Sequence, residues 1–276
     1  MFKQRVITAV VLVLAFLALL LMTTPMIFSL IISLVVLLAG WEWTNLMRIE
    51  STVNRVSYLV LLALSLALAA ALLGLPESPD MQVGQLLALG ASILWAVIFL
   101  WIQGYPSSAI LWSPRPVLGA LGLLLLSFTW VSIVLIMHQP HGAWLLLFAV
   151  VIVALADIGG YIAGNLFGKH KLAATVSPGK TWEGFFGGIV LQCLFIAALI
   201  PFMPEKITAP LLVALVIPVS LYSVVGDLFE SMVKRHCGVK DSGSILPGHG
   251  GILDRIDGLI AALPLFILLF LLLNPL

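Results

Sequence analysis

Charge is what this sequence has least of. Only 9% of its 276 residues are Asp, Glu, Lys or Arg, against about 25% in a soluble domain, while 62% are hydrophobic and the mean hydropathy is +1.20. That much apolar surface cannot be hidden in one water-soluble core, so the composition excludes a soluble globular protein. Cysteine is nearly absent. Cys193 falls in an apolar stretch and Cys237 in a polar one, with no ligand spacing around either, which argues against a disulfide framework and a zinc site. The formal net charge of +1 gives no reason to expect a nucleic-acid partner. Internal repeats and low-complexity linkers are also missing.

What fills the chain instead is long apolar runs. About 20 mostly apolar residues cross the hydrocarbon core as a helix. Nine stretches qualify: 5–22, 26–43, 56–75, 85–103, 116–137, 143–165, 184–203, 209–229 and 256–275. The first resembles a signal peptide, with Lys3 and Arg5 before an apolar run, but no small-x-small cleavage site follows and the next apolar segment starts at once. It reads as a retained span. The fold class is therefore an all-α integral membrane protein of about nine transmembrane helices. With the N-terminus cytoplasmic, twelve of the thirteen Lys and Arg residues fall on the inner side and only Lys206 outside. Setting aside the seven in the last two inner loops still leaves five to one. The C-terminus is then expected outside.

The chain divides by character. Residues 1–150 are plain apolar helices with short connections, a scaffold, while residues 151–276 concentrate charge on the cytoplasmic side. Within "ADIGGYIAGNLFGKHKL", Asp157 lies about three turns before the inner end of the sixth span. A carboxylate at that depth is a functional candidate by default, although Gly159, Gly160, Ala163 and Gly164 equally suggest close helix packing. In "VSPGKTWEG", Pro178 and Gly179 predict a turn after which Lys180, Thr181 and Glu183 begin the seventh span. A helix start with a lysine favours a phosphate, whereas the plainer reading makes Ser177 a cap and Lys180 a membrane anchor. The spacing is not that of a Walker A loop. The third cluster, residues 226–257, puts Asp227, Glu230 and Ser231 on one helix face, followed by Lys234 and Arg235. After the flexible "GHGG", Asp254 and Asp257 open the ninth span. His249 is either a base, a phosphate contact or a loop cap. Trp41, Trp43, Trp101 and Trp112 read as interfacial belt aromatics.

Hard carboxylate oxygens suit magnesium beside phosphates, and lysines and arginines suit phosphoryl oxygens. Together they describe phosphoryl or nucleotidyl transfer with one or two metal ions.

The residues at that point resemble a known family, the phosphatidate cytidylyltransferases or CDP-diacylglycerol synthases. Their signature is S-x-x-K-R-x4-K-D followed by P-x-H-G-G-x-x-D-R-x-D. This chain supplies Ser231, Lys234, Arg235, Lys240, Asp241, Pro247, His249, Gly250, Gly251, Asp254, Arg255 and Asp257 in register. The stretches "DIGGYIAGNLFGK" and "SPGKTWEG" also look like that family's, and the likeness covers about residues 150–276, the first half adding little beyond hydrophobicity. The resemblance implies that CTP and phosphatidic acid give CDP-diacylglycerol and pyrophosphate in phospholipid biosynthesis. It implies an all-helical homodimer in a bacterial cytoplasmic (inner) membrane. It also implies Mg2+, with two metal ions allowed and one of them allowed to be monovalent. Carried over by position, Asp227, Asp254, Lys240 and Arg255 are the catalytic group, with Asp227 and Asp254 the metal carboxylates. Ser177, Lys180, Thr181, Ser231, Lys234, Arg235, Asp241, His249 and Asp257 are the substrate-binding residues.

Rival readings fare less well. The D-G-x2-A-R-x8-G-x3-D-x3-D pattern of CDP-alcohol phosphatidyltransferases is missing. An ion-coupled transporter, suggested by Asp157 and the glycine-rich sixth span, should show inverted repeats and broken helices in both halves. A bare membrane scaffold leaves the clustered charge unexplained.

Overall fold

The computed structural model describes residues 2–246, 248 and 250–273, with side chains from Ile7 onward. Its elements are α1 (Phe2–Met22), α2 (Pro25–Leu46), α3 (Thr52–Leu72), α4 (Met81–Gln103), a one-turn α5 (Ala109–Trp112) and α6 (Arg115–Met137). They continue with α7 (Gly142–Phe167), β1 (Lys171–Ala173), β2 (Ser177–Thr181), α8 (Trp182–Leu199), α9 (Ala209–Cys237) and α10 (Leu253–Leu273). The nine apolar stretches correspond one for one to α1–α4 and α6–α10. Eight of these are long and apolar enough to cross a membrane, and α1 adds the shorter described run Ile7–Met22. The chain is an all-helical integral membrane protein apart from one small β-hairpin. Residue 150, where the charge content changes, lies within α7.

A helix rises about 1.5 Å per residue, so the 21 residues of α3 or α10 match a hydrocarbon core of about 30 Å. The 29 residues of α9 exceed it by more than two turns. The apolar span expected over 209–229 is the first part of this helix, which continues through Glu230, Ser231, Lys234 and Arg235 to Cys237. It stops where Gly238 takes φ 70°, a left-handed cap, behind Lys234 and Arg235, whose charge suits a helix C-terminus.

α6 and α10 are the most enclosed spans, and α10 packs against α9, α6 and α4. α7 and α8 instead lie side by side with small residues between them. A methyl group at Gly188 would stand 3.0 Å from the carbonyl oxygen of Ala156, and one at Gly159 2.9 Å from that of Gly187. Only glycine lets these backbones approach so closely, the packing mode that works where lipid removes the hydrophobic drive between helices. Their outer faces expose Ile158, Ile162, Phe186, Val190 and Leu194.

Two local expectations change. Pro178 and Gly179 are in strand β2, and the turn falls at 174–176; β1 and β2 pair antiparallel, with Lys171 opposite Thr181 and Ala173 opposite Ser177. A strand with a partner on one side only tolerates a proline that has no N–H to give. Trp43 and Trp112 are not belt residues but buried. The Trp43 Nε1 donates to the Leu118 carbonyl at 2.9 Å, and the Trp112 ring meets His236 edge-on at 5.1 Å. Trp41 does sit part-exposed, under the Arg55 guanidinium at 5.3 Å.

Candidate active site

Small side chains along α7 and α8 leave room beside α9, and the β-hairpin closes one end of that space. The result is a cavity of about 480 Å³ whose polar wall includes Asp157, Ser177, Lys180, Thr181, Ser220 and Asp227. Lys180 reaches it because β2 runs straight into α8. Thr181, not Ser177, caps that helix: its Oγ1 accepts the Gly184 N–H at 3.1 Å. Glu183 pins the hairpin from the other side, accepting the N–H groups of Lys169 at 3.1 Å and His170 at 3.2 Å and the His170 Nδ1 at 2.6 Å.

Inside the cavity the Lys180 Nζ lies 2.6 Å from the Asp227 Oδ2, and the Ser231 hydroxyl donates to the Asp227 Oδ1 at 3.2 Å. Asp157 is within electrostatic reach of both Lys180 and Asp227 and takes no side-chain hydrogen bond among the described residues. A second group lies further along the α9–α10 seam. The Lys234 Nζ donates to the Glu230 Oε2 at 3.0 Å and to the Asp254 Oδ1 at 2.7 Å. Asp254 also accepts the N–H groups of Ser242 at 3.0 Å and Gly251 at 2.7 Å. Asp257 joins the two groups, within electrostatic reach of both Asp227 and Glu230. Two lysines therefore stand among the carboxylates of one seam, Lys180 at Asp227 and Lys234 between Glu230 and Asp254.

Ser177, Lys180, Thr181 and Asp227 thus line one cavity, Ser231 bonds to Asp227, and Lys234, Asp254 and Asp257 follow on the adjoining face. Arg235, Lys240, Asp241 and Arg255 are exposed, at the end of α9, in the loop and at the start of α10. His249 and Pro247 lie outside the described residues. Two further carboxylates belong to this arrangement: Glu230, which the sequence places on the Asp227 face without a role, and Glu42, which the sequence reading passes over. Glu230 is 6% exposed and carries the Lys234 bond. Glu42, fully buried in α2, accepts the Leu253 N–H at 2.9 Å and the Ser242 hydroxyl at 3.5 Å. The signal for Glu42 was present: a carboxylate at the inner end of a span is as suspect as Asp157, and the apolar monotony around it hid it.

Among the described residues, no three Asp, Glu, His or Cys side chains converge as a metal centre. The donor chemistry nevertheless fits a hard cation. Asp227, Asp254 and Asp257 offer oxygen only, and the first two each hold a lysine ammonium where a cation's charge is wanted.

Comparison with known proteins extends the likeness beyond the polar half. A phosphatidate cytidylyltransferase of Haemophilus influenzae is 38% identical, over 96% of this chain and 97% of its own length. One of Pseudomonas aeruginosa is 40% identical over 96% of each chain, and one of Staphylococcus epidermidis is 38% identical over 95% of this chain and 96% of its own. The family described as the cytidylyltransferase family matches residues 3–273, so the first half, which had seemed to add little beyond hydrophobicity, carries the family pattern too. With a match from end to end of the described helices and a cavity built from the motif residues, the chain belongs to the cytidylyltransferase family.

Proposed function

We propose that the protein transfers the cytidylyl group of CTP to phosphatidic acid, releasing pyrophosphate and forming CDP-diacylglycerol. The observation that carries this reading is the Lys180–Asp227 pair on the polar wall of an otherwise largely apolar cavity between lipid-length helices. A lipid confined to the bilayer and a nucleotide confined to water can meet only at such a place. The named activity of the relatives supports the same reaction, and nothing favours the transporter reading.

In this reading a phosphate oxygen of phosphatidic acid attacks the α-phosphorus of CTP, and the bond to the β-phosphate oxygen breaks. The lipid phosphate is already ionised near neutral pH, so the chain has little proton to remove. Its work is positioning and charge neutralisation. Lys180 turns from Asp227 toward a phosphoryl oxygen, and Lys234 does the same from Asp254. Ser177, Thr181 and Ser231 add hydrogen bonds at the cavity wall. Lys240, Arg235 and Arg255, at the exposed rim, receive the triphosphate and hold the departing pyrophosphate, with Asp241 and His249 in the same loop. Asp227 and Asp254, with Asp257 beside them, would hold Mg2+, which supplies Lewis-acid neutralisation of phosphoryl charge when bound. Gly160, Gly164, Gly184 and Gly188 keep part of this wall open.

Two wider statements belong to the same reading. The twelve-to-one distribution of basic residues supports a cytoplasmic N-terminus, an external C-terminus and a site facing the cytoplasm of a bacterial inner membrane. The family resemblance supports a homodimer. Purified protein in detergent, given labelled CTP, phosphatidic acid and magnesium, is expected to make a labelled lipid, and EDTA is expected to stop it. No labelled lipid under those conditions would sink the reading.

A further inference from the structure

We propose that Glu42, in the half of the chain that looks like mere scaffold, is a positioning residue that holds Ser242, Gly243, Gly251 and the start of α10 in register with α9. The inference rests on the reaction just proposed. The Glu42 carboxylate bonds the N–H of Leu253, the first residue of α10, at 2.9 Å. It is thus a cap supplied by another helix, satisfying one of the N–H groups that a helix start leaves unpaired. The positive end of α10 offsets part of the cost of burying this carboxylate.

Its grip extends to the bonds that aim Asp254. Ser242 gives its N–H to Asp254 and its hydroxyl to Glu42, and its carbonyl accepts from the Asn45 Nδ2 at 2.9 Å. Gly251, whose N–H also goes to Asp254, lies so close to Glu42 that any Cβ there would overlap the carboxylate. At Gly243 all three nearest atoms to such a Cβ belong to Glu42. Both backbone donors to Asp254 therefore come from residues packed on Glu42. Just past the end of α2, the Arg48 Nη2 donates to the His236 carbonyl at 3.2 Å, and the Cys237 Sγ donates to the carbonyl of Leu46, the last residue of α2, at 2.8 Å. The C-terminal end of α2 and the residue two places beyond it thus hold the loop where it leaves α9 and where it enters α10.

The test uses the full chain in detergent and two independent readouts. Trypsin cleavage after the exposed Lys240 is expected to run about tenfold faster in Glu42→Ala, because the loop opens locally. Turnover per folded molecule is expected to fall about hundredfold in kcat, as small misplacement of reacting groups does, with the KM for phosphatidic acid changed less than threefold. Glu42→Gln keeps an oxygen for the Leu253 N–H and should recover about tenfold over Glu42→Ala, one charge-assisted bond becoming a neutral one. Gly243→Ala should show the same two effects, and the double variant should be no worse than the poorer single one, since both act on one contact. If Glu42→Ala does not fold, Gly243→Ala carries both readouts. Wild-type cleavage rates, or a kcat within threefold of wild type in the folded variant, would overturn the proposal. The proteolysis result stands whatever reaction is run, so a failure of the proposed chemistry remains separable from a failure of the anchor.

Discussion

Replacing Lys180 by alanine separates a catalytic lysine from a structural one. The Lys180–Asp227 pair is short, 2.6 Å, but its side chains are 24% and 33% exposed. Pairs that remain this open to solvent are worth at most about 1 kcal/mol to stability. Unfolding should therefore shift by only about 2–4 °C for a chain of this size. A lysine that neutralises charge on a transferring phosphoryl group counts for much more. Losing one such donor costs about a hundred- to a thousandfold in kcat, or about 3–4 kcal/mol of barrier. The variant also leaves Asp227 facing Asp157 and Asp257 without a cation between them, which further disfavours an anionic substrate. The assay is transfer of label from CTP into chloroform-soluble lipid, read beside a thermal melt of the same preparation. The expected result is a large loss of kcat with a small change in melting. Less than a tenfold loss of kcat, or a melting shift beyond about 8 °C, would show that Lys180 serves the fold and not the reaction.

Four further outcomes follow from particular contacts. Asp227→Asn should insert and melt like wild type yet make no detectable labelled lipid, and any residual CTP-dependent transfer above about a hundredth of wild type would remove Asp227 from the chemistry. Gly188→Leu should prevent the α7–α8 approach, seen as loss of the monodisperse peak in size-exclusion chromatography, because its side chain would run into the Ala156 backbone. Thr181→Val deletes the α8 cap and should cost about 1 kcal/mol of stability while loosening the hairpin that carries Lys180, measured as a lower melting temperature and reduced kcat together. In a background without Cys193 and Cys237, Lys206→Cys should react with an impermeant maleimide on intact cells, and Lys240→Cys only after permeabilisation; the reverse pattern would invert the topology.

Hydropathy made the spans legible because a helix in lipid must satisfy its own backbone and present about 20 apolar residues, whatever its neighbours do. Hydropathy for the same reason did not mark where α9 ends. Residues 230–237 leave the apolar core yet remain helical, and only their packing against α10 and the Gly238 cap decides it. The motif spacing marked Ser177, Lys180, Asp227, Ser231, Lys234 and Asp254 but not which would touch. That Lys180 sits on Asp227 and Lys234 between Glu230 and Asp254 depends on how a hairpin and two helices cross, and spacing within each segment carries no such information.

The local composition of the chain determined that it crosses a membrane many times, where the helices run and which residue types collect at one side, since those follow from short-range solvation and helical periodicity. The tertiary structure alone decided that Pro178 lies in a strand, that Thr181 caps α8, and that Glu42 bonds to Leu253, 211 positions away. Contacts between residues so far apart arise only when helices pack, and what selects them is close approach at glycines and the need to satisfy buried polar groups.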